Sequence, residues 1–431
     1  MAAPGSRGLA ELALLTAETP PGKRIYGEVK PYKSEGTKDC SAWVGASCHI
    51  GKTVVWKKDG GMVLLQADII GRKLKEEVII ESKSVPSNVK PGYTGPTPRP
   101  AELGEKIVKA EIGGKQLAIV DNKHQLWIRS LSYDEEYKYT HLLDLTPPEP
   151  PAGALPPPPP PIDFSAGYWM TAAIGPDGKM HIWTTEDAPN HLKKALLSVG
   201  AGAPDWETLD EDYMRCVVDP PGGKQFLSVS AGDHHLVYAL RGINCPDEIW
   251  TVGQRVKERF SRAYGFTTVY SESPTRILLP RATAVTCVEA GDKDRSLAIT
   301  DVGAFTWGPD VIPGTDHWSE SGWSKQYRPT PRPADGAPTG AAGAPDGLLG
   351  GVLAPHTNTV VLWDRAGGVW VYEATKCDKG RAEAFLQPLR HFQGPQLSVR
   401  MAFQTGPRDL FLLVEKAAEG DVRMVNATPV Q

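Results

Sequence analysis

The chain has 431 residues and a formal net charge of −4. That length exceeds one small core and requires two or three ordinary domains or one large domain built from repeats. The mildly acidic balance provides no basic stripe of the kind that drives binding to a phosphate backbone, so no specific nucleic acid is expected. Six scattered cysteines form no Cys-x-x-Cys pair, which argues against zinc and against a disulfide scaffold and favours a reducing, intracellular compartment.

The first 24 residues contain a short apolar patch, but Glu11 and Glu18 interrupt it. This pattern is not typical of a signal or transit peptide. No apolar run approaches the length of a membrane span. We therefore expect an intracellular location, cytoplasmic or cytoskeletal and ciliary, with an organelle as the alternative.

Residues 45–53 have the sequence GASCHIGKT, a loose match from Ala46 to the phosphate-binding loop of nucleotide hydrolases. Such a loop must leave a strand and open a helix, whose N-terminus holds the phosphates. Here Val54, Val55 and Trp56 follow, and then an Asp-Gly turn, a pattern typical of a strand entering a hairpin. We therefore predict that Lys52 and Thr53 lie at a turn between strands and bind no nucleotide.

The chain repeats one pattern of a short apolar strand, a small-residue turn, a second apolar strand, an Asp/Gly turn and a third strand with an aromatic residue. Such self-similarity indicates a repeat architecture, and the spacing of the units is typical of propeller blades. The pattern predicts an all-β protein with seven units, starting near residues 43, 107, 164, 229, 288, 352 and 397. In this alignment Thr53 corresponds to Thr171 and Ser296.

The repeats resemble those of the regulator of chromosome condensation family, whose pattern is V-x-x-V-x-A-G-x-x-H-S-x-A-L-T-x-x-G-x-V-Y-x-W-G. The fragments that carry the resemblance are Ser165-Ala166-Gly167, Ala231-Gly232-Asp233-His234-His235, Ala290-Gly291, Ser296-Leu297-Ala298-Ile299-Thr300, Trp307-Gly308 and Trp250-Thr251-Val252-Gly253-Gln254. The match is strong in the fourth and fifth units and degenerate in the first, second, sixth and seventh. The resemblance implies a seven-bladed β-propeller, which agrees with the unit count.

The ends of the chain predict how the ring closes. Only six residues follow the seventh unit, so the last blade lacks outer strands, and an unpaired sheet edge would be costly. The N-terminal segment, residues 1–36, includes Ile25 to Lys30 and can complete that blade. Residues 37–431 then form the propeller.

Two kinds of residue are predicted to pack the blades. Ala-Gly pairs at the turns allow inner strands to approach closely near the axis. Five tryptophans occupy the aromatic positions of the repeat and are predicted to pack one blade against the next rather than to stack on a ligand: Trp127, Trp183, Trp250, Trp307 and Trp370.

Three stretches interrupt the units: residues 146–161 (TPPEPPAGALPPPPPP), 328–351 and 86–100. Six consecutive prolines favour polyproline II, which either binds an aromatic-lined groove of a partner or serves as a stiff spacer. The candidate partner-binding residues are Pro156, Pro157, Pro158, Pro159, Pro160, Pro161, Arg328 and Arg332. One helical insert is also predicted, over Glu207–Tyr213 or over His191–Leu197.

The sequence contains no convincing catalytic motif. Asp233, His234 and His235 suggest a metal or acid–base cluster, but adjacent strand residues point to opposite faces, and His235 lies where the resembled family keeps a structural histidine. No G-x-S-x-G or H-E-x-x-H motif is present. We therefore predict no catalytic residue, no cofactor and no metal.

Three functions remain open. The first is a non-catalytic scaffold or structural subunit that binds other proteins of a large assembly, cytoskeletal, ciliary or organellar. The second, implied by the resemblance, is a guanine-nucleotide exchange factor for a small Ras-like GTPase, as the family's namesake is for Ran. The third, which the sequence supports least, is a hydrolase or lyase that uses the central channel.

Overall fold

The computed structural model describes most of the repeat units and few of the connecting stretches. The described residues are 30–31, 43–49, 52–57, 59–67, 74–80, 102–131, 139–146, 163–201, 205–209, 212–253, 255–261, 265–279, 284–291, 295–307, 332–333, 347–353, 359–364, 369–374, 386–392, 397–404, 410–416 and 421–426. Within them nearly all regular structure is antiparallel β-sheet.

The sheets follow one another along the chain, and in all of them except sheet 3 neighbouring strands follow in sequence order. Strand β1, Lys30–Pro31, precedes them. Sheet 1 contains β2 (Trp43–His49), β3 (Lys52–Lys57), β4 (Met62–Ala67) and β5 (Leu74–Ile80), and sheet 2 contains β6 (Ile107–Ile112), β7 (Gln116–Asp121), β8 (Gln125–Ser130) and β9 (Tyr139–Asp144). Sheet 3 contains β10 (Phe164–Ala166), β11 (Met170–Ile174), β12 (Met180–Thr185), β13 (Glu207–Thr208) and β14 (Tyr213–Val218), with β13 at its outer edge.

The later sheets have the same order. Sheet 4 contains β15 (Gln225–Ala231), β16 (Leu236–Arg241), β17 (Glu248–Val252) and β20 (Thr275–Ile277), and a separate hairpin of β18 (Arg255–Ser261) and β19 (Gly265–Tyr270) is inserted before β20. Sheet 5 contains β21 (Val285–Ala290), β22 (Ser296–Thr300), β23 (Gly303–Trp307) and β24 (Arg332–Pro333), and sheet 6 contains β25 (Leu348–Leu353), β26 (Thr359–Asp364), β27 (Val369–Ala374) and β28 (Leu386–Phe392). The last sheet contains β29 (Leu397–Gln404), β30 (Leu410–Lys416) and β31 (Asp421–Asn426), and β1 pairs with β31.

Consecutive sheets pack through their inner strands. Strand β6 contacts β2 and β3, β15 contacts β10 and β11, and β21 contacts β15 and β16. Each sheet is thus covered on both faces, which explains why the second strands are almost continuously apolar: β7 and β22 are buried at every position. This is the arrangement of a β-propeller, and the all-β prediction is confirmed.

A bulge marks the same point in most inner strands. The register shifts where the inner strand pairs with the second strand, at Trp43/Gly45, Ile107/Lys109, Phe226/Ser228, Val285/Cys287, Leu348/Gly350 and Val399/Met401. The residue that the bulge leaves unpaired is exposed at Val108 and Leu349. A bulge increases the local twist, which the strands nearest the axis of a propeller require.

One helix is inserted between β12 and β14. Helix α1, Asn190–Leu197, buries Leu192, Ala195 and Leu196, which lie at the i, i+3 and i+4 spacing of one helical face. The second of the two predicted helix positions is therefore confirmed. The first, Glu207–Tyr213, is wrong, because β13 and β14 pair there as an antiparallel ladder with Glu207 opposite Arg215.

Candidate functional site: the channel and its mouth

Five inner strands place a polar residue at one register position beside the axis. These residues are Ser47, Glu111, Ser165, Ser230 and Glu289, which lie opposite Val54, Ala118, Ala172, Val237 and Leu297 of the second strands. The second-strand partners are fully buried between blades. Since the residues on a strand alternate between its faces, the equivalent position of each blade faces the same surroundings, the central channel.

Four of these residues link neighbouring blades through hydrogen bonds. The Ile112 N–H donates to Ser47 Oγ at 3.1 Å, the Ala166 N–H to Glu111 Oε2 at 3.2 Å, the Ala231 N–H to Ser165 Oγ at 3.0 Å, and the Ala290 N–H to Ser230 Oγ at 2.8 Å. In each case the donor is the last residue of the next inner strand. The polar channel residues thus accept backbone hydrogens that blade pairing would otherwise bury without a partner.

Glycines follow the donors and allow the close approach. A Cβ placed on Gly113 would collide with the carbonyl oxygen of Gly167, and one on Gly167 with that of Gly232. A Cβ on Gly232 would lie 2.7 Å from the Gly291 carbonyl oxygen. The predicted role of the small residues at these turns is therefore confirmed.

A charged cluster occupies the channel between sheets 2 and 3. Lys109 Nζ lies 2.9 Å from Glu111 Oε1 and donates to the Phe164 carbonyl oxygen at 3.0 Å. Asp163 Oδ2 accepts the Val229 N–H at 2.8 Å. Burial opposes the charge on Lys109, but the carboxylates of Glu111 and Asp163 outweigh it and raise the pKa of the ammonium group. Burial raises the pKa of Asp163, against the opposing effects of Lys109 and of the Val229 hydrogen bond.

Sheet 5 adds two acidic groups to the same channel. Burial raises the pKa of Glu289 to about 8, and the nearby Glu111 and Asp163 carboxylates raise it as well. Lys109 lowers the pKa but only partly offsets these effects. Burial, together with Glu289 and Asp163, raises the pKa of the Cys287 thiol to about 12. At neutral pH Glu289 therefore carries its proton, and Cys287 is an unreactive thiol.

The channel mouth is bridged by a contact between sheets 1 and 4. His49 takes the strand-end position that glycines occupy in sheets 2 to 5, and its Nε2 lies 3.1 Å from Asp233 Oδ1. The His49 side chain is only 9% exposed and that of Asp233 18%. Because sheets 2 and 3 separate these blades along the chain, the contact spans the opening rather than a blade interface.

A row of rings extends outward from this mouth. Tyr168 lies with its ring centroid 6.5 Å from that of His49 and 4.8 Å from that of Trp169. The His234 ring follows at 6.5 Å from Trp169, and the His191 ring of α1 at 6.1 Å from His234. We call Tyr168, Trp169, His234 and His191 the ring row; all four are half-buried. The Lys115 ammonium lies 4.1 Å over the Trp169 ring.

The predicted structural role of His235 is confirmed. His235 is fully buried, and its Nε2 lies 3.0 Å from Ser296 Oγ of the next blade. Its neighbour His234 belongs to the ring row, so the two imidazoles diverge as expected. Among the described residues, no group of three or more His, Cys, Asp or Glu side chains is arranged to hold a metal ion.

The loose phosphate-loop match runs from β2 into β3. The prediction that Lys52 and Thr53 lie at a turn is wrong, because they are the first two residues of β3 and pair with His49 and Cys48. Thr53, Thr171 and Ser296 occupy the same register position and are all fully buried, which confirms their alignment. No helix follows, so the geometry of a phosphate loop is missing here. That Lys52 binds no nucleotide stays a prediction.

Four of the five tryptophans predicted to pack the blades have described side chains, and all four lie against a neighbouring blade. Trp127 packs with Val54 and Met62 of sheet 1, and Trp183 with Ala118 and Val120 of sheet 2. Trp307 packs with residues of sheet 4, and Trp250 is partly buried against the core shared by sheets 3 and 4. The side chain of Trp370 lies outside the described part of the chain.

The predicted partner-binding residues lie almost entirely outside the described part of the chain. This holds for Pro156 to Pro161 and for Arg328, while Arg332 lies in the edge strand β24, opposite Thr306. Sequence reasoning missed the channel cluster altogether. These four residues, Lys109, Glu111, Asp163 and Glu289, come from three different units, and only the packing of the inner strands around one axis brings them together.

Comparison with solved structures found proteins that align over 90% or more of this chain. The crystal structure of human WBSCR16 aligns with 97% of this chain and 96% of its own at a TM-score of 0.51 and 10% sequence identity. Prp20p from Saccharomyces cerevisiae aligns over 90% of this chain and 83% of its own, with a TM-score of 0.46 and 11% identity. U3-55K has a TM-score of 0.46 and 12% identity over 93% of this chain and 98% of its own.

At 10% identity, the likeness to WBSCR16 shows a similar fold and nothing further. No family model matches the chain, and no curated protein matches its sequence. None of the helices in the described residues is both long and apolar enough to cross a membrane.

Proposed function

We propose that this chain is a non-catalytic protein–protein interaction scaffold, a structural subunit of a larger assembly. The observation that carries the proposal is the use of the channel polar groups. Ser47, Glu111, Ser165 and Ser230 each accept a backbone N–H of the next blade. These side chains therefore use their acceptor atoms to join neighbouring blades. Recognition of partners then falls to the blade-end loops, which a rigid scaffold positions.

We further propose a ring of seven blades, closed by residues 1–36 as an extra strand of the last sheet. Two contacts support this. Strand β2 contacts β29, so the first and last sheets are neighbours. Lys30 lies opposite Asn426 in the antiparallel pairing of β1 with β31. A closed ring removes an exposed edge and provides the rigidity that a scaffold needs.

The partners would be other proteins of a cytoskeletal, ciliary or organellar assembly. The segments that would contact them are residues 146–161 and 328–351, with Pro156 to Pro161, Arg328 and Arg332 as the contact residues. Both segments are poor in apolar residues and rich in Pro, Ala and Gly, so they cannot form cores of their own. We expect contacts with a neighbouring protein to bury them instead.

The test is quantitative co-purification of the tagged full chain from cells of the source organism. Two variants lack residues 146–161 or residues 334–346, the part of the second segment that leaves β24 and β25 intact, and a third replaces Pro156–Pro161 with six serines at constant length. Loss of the same partners from both deletion variants, with an unchanged melting temperature, is expected. Retention of every partner by both variants would contradict the proposal. So would turnover of a substrate by the purified chain, or acceleration of nucleotide exchange on a panel of small GTPases, the latter favouring an exchange factor.

A further inference from the structure

The hairpin inserted in sheet 4 stands apart from the blades. Among the described residues β18 and β19 pair only with each other. The Gly253 N–H donates to the Ser271 carbonyl oxygen at 2.9 Å, just beyond the end of β17. The hairpin therefore continues the ladder between β17 and β20 past the edge of the sheet.

The hairpin begins at the face of the propeller that carries the channel mouth. Val252, the last residue of β17, lies opposite Leu236, and Leu236 lies opposite Ala231. The turn between Ala231 and Leu236 contains Asp233, which contacts His49 at the mouth. Hairpin and mouth are thus on the same side of the propeller.

Helix α1 fixes the base of the hairpin. Lys194 Nζ lies 2.7 Å from Glu272 Oε2, and Ser198 Oγ donates to the Glu272 carbonyl oxygen at 3.0 Å. A Cβ added at Gly253 would collide with the His234 carbonyl oxygen. The base of the hairpin therefore adjoins the ring row, whose outer members are His234 and His191.

The register of the hairpin places cationic and aromatic residue types on one face. Arg255 is opposite Tyr270, Lys257 opposite Thr268, and Arg259 opposite Phe266. Residues directly opposite each other share a face, and alternate residues of one strand share it too. These six positions therefore form one face, which we call the basic face. The other face contains Val256, Glu258, Thr267 and Val269.

We propose that the basic face, together with the ring row at its base, binds single-stranded nucleic acid. Arginine and lysine at every second position form a line of positive charge that complements a phosphate backbone. Aromatic positions across from the cations provide platforms on which unpaired bases stack, whatever their sequence. In a duplex the base faces are stacked on one another and are not available to the aromatic residues. An acidic protein segment would use the cations but would leave the aromatic residues without a role.

The test is fluorescence anisotropy with the full chain and labelled uridine-rich RNA of about 20 nucleotides, longer than one single-strand site. DNA of the same sequence and an RNA duplex are parallel probes. The key variant is R255Q/K257Q/R259Q. The matched control changes the opposite face, E258Q/T267V. Because within the described part of the chain the hairpin strands pair only with each other, the blades should melt unchanged in both variants.

We expect single strands to bind more tightly than the duplex. The triple variant should weaken binding about tenfold or more and reduce the slope of log K against log salt by about 2, since each lost phosphate contact contributes about 0.7. The control should bind like the unmodified chain. A variant with F266L/Y270L should bind more weakly with an unchanged salt slope, because stacking releases no counterions. Either RNA or DNA satisfies the proposal, and a difference between them identifies recognition of the 2′-hydroxyl.

Three results would overturn it. The first is no binding at about 100 µM protein in low salt, the weak limit of non-specific nucleic-acid binding. The second is binding that the triple variant and the control retain equally. The third is that poly-glutamate fully displaces the RNA, and that R255Q/K257Q/R259Q weakens RNA binding while F266L/Y270L does not. That outcome would assign the basic face to an acidic protein partner. The assay uses only the purified chain, so its failure leaves the scaffold proposal to its own test.

Discussion

His49 of sheet 1 and Asp233 of sheet 4 meet across the mouth of the channel, with His49 Nε2 3.1 Å from Asp233 Oδ1. Where four other blades have glycine at this strand end, the first blade has an imidazole that reaches a distant blade. Sheets 2 and 3 separate these two blades along the chain. The contact therefore connects sheets 1 and 4 directly across the channel mouth.

A double-mutant cycle on His49→Ala and Asp233→Ala should detect a favourable coupling energy between the two side chains. Both side chains are largely shielded from solvent, so we expect a coupling energy of about 1 kcal/mol in urea unfolding. The control cycle combines His49→Ala with Asp187→Ala, because Asp187 is exposed and forms its ion pair with Lys115. A coupling for His49 and Asp233 as small as that of the control cycle would show that the contact stabilises nothing.

Ser230→Ala should destabilise the propeller. It removes the acceptor of the Ala290 N–H and leaves that buried donor without a partner, which costs about 1–3 kcal/mol. The exposed Ser273→Ala is the matched control and should change the free energy of unfolding by less than about 0.5 kcal/mol. Equal unfolding midpoints for the two variants would mean that the hydrogen bonds between inner strands contribute little.

Gly167→Ala should force sheets 3 and 4 apart. Its Cβ would meet the backbone carbonyl of Gly232, which cannot rotate away as a side chain can. We expect a loss of about 1–3 kcal/mol in the free energy of unfolding. Gly178→Asn is the control: Gly178 has a φ of 76° and open space around it, and asparagine tolerates that conformation. The prediction fails if the two variants melt together.

Glu289→Gln should alter the pH dependence of stability. The folded-state pKa of about 8 lies above the ordinary value of 4.5, so between these limits the folded chain holds the proton that the unfolded chain releases. The free energy of unfolding must therefore fall as pH rises from about 4.5 to about 8, with a slope of at most about 1.4 kcal/mol per unit from this one group. The glutamine variant lacks that term, so its stability relative to the original chain should increase with pH.

Urea denaturation at pH 5, 7 and 9 measures that difference. The variant and the original chain share the other charged and titratable groups of the channel, so only the difference between their curves reports on Glu289. These groups are Asp163, Lys109, Glu111 and Cys287. Glu105→Gln, which removes an exposed carboxylate, is the matched control. A constant difference between Glu289→Gln and the original chain across this range would contradict the assignment.

Removal of residues 1–31 should destabilise the last sheet if the proposed closure is correct. The deletion exposes the edge of β31, which Lys30 and Pro31 otherwise cover. A shorter deletion of residues 1–24 keeps β1 and should melt like the full chain. Identical melting temperatures for both deletions would rule out closure by this segment.

Local patterns were sufficient to predict the strands and their repetition. Alternating apolar residues, small-residue turns and aromatic positions recur in every unit, and each feature acts within one hairpin. Thr53 could therefore be aligned with Thr171 and Ser296 from sequence, and the glycines at the turns could be assigned to close approach. The helix was harder, because Glu207–Tyr213 and His191–Leu197 have similar local preferences, and only the second can bury an apolar face against neighbouring sheets.

The sequence by itself determined the β class, the repeat and the packing role of the tryptophans, because these depend on periodicity and residue size within single units. Only the tertiary structure decided which polar residues meet. Lys109, Glu111, Asp163 and Glu289 are separated by up to 180 positions in the numbering, and no local pattern relates them until the blades surround one axis. The same holds for Arg255, Lys257 and Arg259, which form a line of charge only because that stretch is a strand with period two. Long-range geometry, set by burial of every sheet against the next, brings together groups that the linear sequence keeps apart.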